Sequence, residues 1–79
     1  MLLLDKELKK LGLKEKPIVK DENITYRSFE FSANESYILI NNILNTAGSV
    51  IEQVFSINDR EIKKPLTLKQ VENFIDIIQ

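Results

Sequence analysis

Apolar residues recur along this chain at more than one period, and each change of period marks an element. Leu4, Leu8 and Leu11 stand at i, i+4 and i+7 with Leu3 beside them, which lines one stripe of a helix. Asp5 and Glu7 early and Lys9 and Lys10 late suit the helix dipole. Gly12 follows at the left-handed C′ position. That places Leu13 at C″ and Leu8 at C3, the pair that touches in a Schellman ending. The N-terminal helix is therefore assigned within residues 1–13. A charged connector, interrupted by Pro17, runs over 14–23, where Ile18-Val19 fits a short edge strand that tolerates proline.

From Ile24 to Phe31 the β-branched and aromatic content predicts a strand. Its alternation slips, since Ile24 and Tyr26 share one face while Phe29 and Phe31 share the other. Either both faces are covered or a bulge near Arg27-Ser28 restores the register. Over 33–47 two signals compete. Tyr37-Ile-Leu-Ile40 has high strand propensity, and Asn41, Asn42 and Asn45 are poor helix formers. Against that, Ser32-Ala-Asn-Glu35 matches a capping box. At 100° per residue Tyr37, Leu39, Ile40, Ile43, Leu44 and Ala47 also fall on one side, with only Ser36 and Ile38 misplaced and Gly48 as a stop. Period outweighs propensity, and the segment is assigned as a helix with Asn41 and Asn45 exposed and Leu39, Ile40, Ile43 and Leu44 buried.

Val50 to Ile57 predicts the next strand, with Ile51, Phe55 and Ile57 on one face and Val50 and Val54 on the other. Asn58-Asp59-Arg60 is a hairpin turn into a short strand, Glu61 to Lys64, which Pro65 ends. Thr67-Leu-Lys-Gln70 is a capping box, and Leu66 and Val71 occupy the staple positions of a last helix. Leu68, Val71, Phe74, Ile75, Ile77 and Ile78 spread over about half of its circumference, wider than the ~100° stripe of a surface helix. The expected fold is therefore α/β in the order α-β-α-β-β-α, one domain over 1–79 with its sheet-and-helix core in 24–79. Its small mixed three-stranded sheet is built on a right-handed parallel crossover. The competing arrangement is an αββββα meander.

Composition narrows the function classes. Seventy-nine residues leave room for one domain, and 43% hydrophobic with 29% charged residues is ordinary for a soluble globular chain. Histidine and cysteine are both absent, which removes thiol nucleophiles, imidazole bases, disulfides and zinc sites built on those ligands. So small a core is marginal, and without a disulfide or zinc staple it relies on local structure, oligomerisation or a partner. Met1-Leu-Leu-Leu-Asp5 lacks a basic n-region, and the longest later apolar run is Tyr37 to Ile40. A cytoplasmic address without a membrane segment is the expectation.

Candidate chemistry is sparse. The two glycines both serve helix ends in this reading, so neither a P-loop nor a dinucleotide fingerprint remains, and no cofactor is expected. No serine stands in a nucleophile elbow. Glu61-Ile-Lys63 resembles the acid-x-Lys pair with which metal-dependent nucleases hold Mg²⁺ and steady a water, with Glu52 as a second carboxylate. Twelve acids and nine lysines predict about 1.4 such pairs by chance, and the chain has two. Catalytic and metal sites are therefore not assigned. Lys6, Lys9, Lys10, Lys14, Lys16 and Lys20 outnumber Asp5, Glu7 and Glu15 and form a basic patch for a nucleic-acid backbone, without arginine or aromatic interleaving.

Two expectations remain. The first is a non-enzymatic binding protein acting stoichiometrically on a protein partner, possible also as a homodimer. Its contact surface is the outer side of the last helix, comprising Glu72, Phe74, Asp76, Ile77 and Ile78. The second is a nucleic-acid-binding regulator using the lysine patch. Ile, Lys and Asn make up 27 of the 79 residues. Short chains of that composition are common among phage and mobile-element inhibitors of host proteins, which is an analogy of class only.

Overall fold

A computed structural model describes residues 2–79. It is small, compact and mostly sheet: helix α1 (Asp5–Lys10), strands β1 (Lys14–Glu15), β2 (Val19–Asp21), β3 (Ile24–Ala33), β4 (Ser36–Leu44), β5 (Val50–Ile57) and β6 (Arg60–Ile62), then helix α2 (Leu68–Ile78). All strand pairs are antiparallel, and the order is β1-β3-β4-β5-β6 with β2 also on β3. The sheet is thus six-stranded and wholly antiparallel rather than mixed and three-stranded, β2 to β6 run as a meander, and the parallel crossover does not form.

The segment 33–47, expected as a helix, is instead the central strand β4 and its two turns. Asn34 and Glu35 both take left-handed φ (52° and 66°) between the paired Ala33 and Ser36, which makes a two-residue type I′ hairpin rather than a capping box. Gly48 (φ 84°) does not stop a helix. It completes the β4–β5 turn, where the Asn45 side chain accepts from the Ala47 and Ser49 N–H groups at 3.0 Å. Along β4 the buried residues are Ile38, Ile40, Asn42 and Leu44, while Leu39, Asn41 and Ile43 are half-buried on the opposite face. Ile38, the misfit on the helical wheel, is fully buried. Asn42 disguised the period of two, because it holds a core position with a polar side chain.

The other strands need smaller corrections. Residues 14–21 form one edge of the sheet, as the short strands β1 and β2, rather than a connector. The Lys16 N–H donates to the Ser28 carbonyl at 2.8 Å, and Val19 pairs with Tyr26, so Pro17 and Ile18 together stand opposite Arg27 as a bulge. The bulge expected near Arg27-Ser28 therefore lies on the neighbouring strand, and β3 runs unbroken against β4 from Thr25 to Ala33. In β5 a second bulge occurs: Ile43 pairs with Glu52 and Leu44 with Val50, leaving Ile51 unpaired and exposed. Val50 consequently stands beside Leu44 rather than on the face of Val54 expected for it, and Ile51 does not join Phe55 in the core. The last hairpin turns at Asn58-Asp59 (φ 50° and 69°), and β6 ends at Ile62.

Both helix ends follow their local codes. The Leu13 N–H reaches the Leu8 carbonyl at 3.2 Å and the Gly12 N–H reaches Lys9 at 3.0 Å, the two bonds of a Schellman ending around Gly12 at φ 100°. Thr67 caps α2 by accepting from the Gln70 N–H, and the Gln70 side chain accepts from the Thr67 N–H. Both helices cover one face of the sheet. There Leu3, Leu8, Val71 and Ile75 close over Phe29, Ile38, Ile40 and Phe55. No helix among the described residues is long and apolar enough to cross a membrane.

Candidate functional site

A meander with both helices on one side leaves its other face without a layer. Cross-strand pairing fixes which side chains stand there. Val19, Tyr26, Ile43 and Glu52 form one row across β2–β5; Ser28, Asn41 and Val54 form the next. Lys14, Glu30, Leu39, Ser56 and Glu61 form a third, across all five strand positions from β1 to β6. Tyr26, Tyr37, Leu39, Ile43 and Val54 are only half-buried, and Val19 and Ile24 are exposed. None belongs to the core cluster or packs against it. Antiparallel sheets with one wet face normally alternate apolar-in with polar-out, and here the outward set is half apolar.

Polar groups on this face are paired within it. Ser28 Oγ donates to Asn41 Oδ1 at 2.9 Å at the centre. Lys16 Nζ lies 3.9 Å from Glu30, and Lys63 Nζ lies 3.7 Å from Glu61. At the end of the face the Tyr37 hydroxyl donates to Asp59, which holds the phenol above its ordinary value of 10.0. Lys14 and Lys16 stand at the β1 edge with Glu30 beside them, and Glu52 and Glu61 stand on the β5–β6 side with Lys63 beside Glu61.

The helical face carries a second polar cluster. Arg27 on β3 reaches Glu15 Oε2 at 2.9 Å and Asp5 Oδ2 at 2.9 Å, and Lys9 lies 3.2 Å from Glu15. The hydrogen bonds from Arg27, and then from Lys9, hold the Glu15 carboxyl below its ordinary 4.5. Buried Asn42 donates to Asp5 at 3.3 Å and accepts from Gln53 at 2.8 Å. Gln53 also grips both the N–H and the carbonyl of Leu3 at 3.0 Å. Every buried side-chain polar atom among the described residues finds a partner. The cluster is a clasp that seats the start of α1 on the sheet.

The residues expected to carry function are dispersed. On α2, Ile77 is 79% exposed and Asp76 is exposed, whereas Ile78 is buried and Phe74 packs on the core. The wide apolar arc thus splits into an inward set and one lone outward isoleucine, and Glu72 is held by Lys69 at 3.2 Å. The lysines divide three ways. Lys6, Lys9 and Lys10 are on α1, Lys14 and Lys16 on the open face, and Lys20 shares the opposite face with Thr25. Glu61 and Glu52 stand on β6 and β5 at rows four β5 residues apart, about 13 Å at ~3.3 Å per residue, too far to share one ion. Groups of three acids, histidines or cysteines able to hold a metal are absent among the described residues.

Tyr26, Leu39, Asn41, Ile43 and Val54 were missed as a surface. Their signal was present in the slipped alternation, where Tyr26 opposes Phe29 in parity and Val54 opposes Phe55. Comparison with known protein families, with curated proteins and with solved structures finds no match to this chain.

Proposed function

We propose that this chain is a small non-enzymatic binding protein that acts stoichiometrically by contact with another protein surface, and that the open sheet face makes the contact. The observation that carries the reading is the half-buried apolar set Tyr26, Leu39, Ile43 and Val54 on a face no helix covers. Apolar side chains left on a sheet face, with polar groups among them and charges at the rim, are what protein interfaces use. Isolated Ile77 has no apolar neighbours of that kind on its helix and is a weaker contact residue.

The test is zero-length carboxyl–amine crosslinking of the tagged protein in extract, followed by purification and mass identification of the linked residues. Links through Lys14, Lys16, Glu52 or Glu61 to a second chain, of whatever identity, support the reading. Links confined to Lys6, Lys10, Lys69 or Asp76 on the helices overturn it. Leu39→Asp, checked for fold by circular dichroism, removes the captured chain if the face is the contact surface and leaves it bound if not.

A further inference from the structure

The open face is complementary to itself, and we infer that its occupant is a second copy of this chain. This rests on reading the face as the contact surface. β4 is the middle strand of β1-β3-β4-β5-β6. A two-fold axis parallel to β4, between two facing sheets, therefore lays β4 over its own copy and exchanges the two edges. Leu39 and Ile43 then meet their counterparts on the axis, with Asn41 between them. β3 faces β5 of the copy, which sets Ser28 against Val54, Glu30 against Ser56, and the Tyr26 hydroxyl against the Glu52 carboxylate. At the rim Lys14 faces Glu61, because both end the row through Leu39.

Charge decides between the possible occupants. The face carries Lys14 and Lys16 at one edge, with Glu30 next to them, and Glu52 and Glu61 at the other, with Lys63 next to Glu61. A uniformly basic or acidic partner meets a like charge at one edge, whereas the copy, turned about this axis, brings Lys14 to Glu61 at both. Turning it about an axis across the strands instead sets lysine on lysine, so the charges also choose the orientation. The area is adequate. Five strands at ~4.8 Å by about eight residues at ~3.3 Å give roughly 600 Å² of plan area before side-chain relief, close to the ~800 Å² per partner of a stable interface. The product is an aligned sandwich of two sheets with the helices outside.

Sedimentation equilibrium of the purified full chain from low micromolar to millimolar concentration tests this. A monomer–dimer equilibrium is expected. Lys14→Glu and Glu61→Lys singly weaken it by roughly 2- to 30-fold, the effect of two symmetry-related exposed ion pairs. The double variant recovers most of the loss, and neither rim substitution touches the core. Leu39→Asp leaves a monomer. A wild type that stays monomeric throughout overturns the proposal, as does a dimer indifferent to these substitutions or a double variant weaker than either single one. A monomeric wild type whose open face still crosslinks to a different protein removes the second copy while the contact-surface reading stands.

Discussion

Ile40 and Ile43 are three residues apart and separate the strand from the helix in one comparison. On a helix they share a face and have similar burial. On β4 they point to opposite sides. Ile40 is fully buried between Phe29 and Phe55, while Ile43 is half-buried between Tyr26 and Glu52 on the open face. Ile40→Ala deletes three buried carbons at about 0.8 kcal/mol each and leaves a void among aromatic rings, about 3–4 kcal/mol in all. Ile43→Ala loses about half of the transfer energy and leaves no void, because solvent fills the site, so its cost is about 1 kcal/mol. Urea denaturation followed by circular dichroism reads the difference. With a slope of about 1 kcal/mol per molar for so small a domain, the midpoint falls by about 3 M for Ile40→Ala and about 1 M for Ile43→Ala. The melting temperatures fall by roughly 20 °C and 6 °C. Both variants are measured at low micromolar concentration, where association through the open face contributes little. Equal losses would refute the strand and the two-sided sheet with it.

Three further outcomes follow from the clasp and the helix ends. Asn42→Ala is expected to cost about 2–3 kcal/mol, from a lost pair of hydrogen bonds to Asp5 and Gln53 plus a void, and Asn42→Leu at least about 1 kcal/mol less because it refills the space; thermal melts of the two variants decide it. Gly12→Ala places a Cβ on a backbone at φ 100° with no clash nearer than the Phe31 ring at 3.9 Å, so its cost of about 1–2 kcal/mol is backbone strain alone, and Gly12→Asn recovers part of it. The Glu15 carboxyl titrates below 4.5 in the folded state, so the native chain binds fewer protons than the unfolded chain just under that pH. Its stabilisation is therefore complete above pH 4.5 and is lost as the pH falls through the folded value; stability measured against pH flattens in that window in Glu15→Gln, and an unchanged acid limb would show that Arg27 does not hold it.

Elements set by nearest neighbours were readable in the chain itself. The Schellman ending needs only Gly12 after a leucine stripe, and the α2 start needs only Thr67, Gln70 and the Leu66/Val71 staple, all within one or two turns. The Asn58-Asp59 turn and the Val50–Ile57 strand are local in the same sense. The 36–44 strand was not, because Tyr37, Leu39, Ile40, Ile43 and Leu44 satisfy a helical face about as well as they satisfy a sheet with two apolar sides. Tertiary structure settled it through β3 and β5, which flank β4 and supply its hydrogen-bond partners along most of its length. Burial of Asn42 is likewise a long-range outcome, since Asp5 and Gln53 lie 37 and 11 residues away. The open face has the same origin. A strand's sequence states which residues alternate, but which side receives the helices depends on α1 and α2 both closing over Phe29, Ile40 and Phe55. That choice is made only when the distant ends of the chain pack, and it alone turns Tyr26, Leu39, Ile43 and Val54 from core candidates into surface.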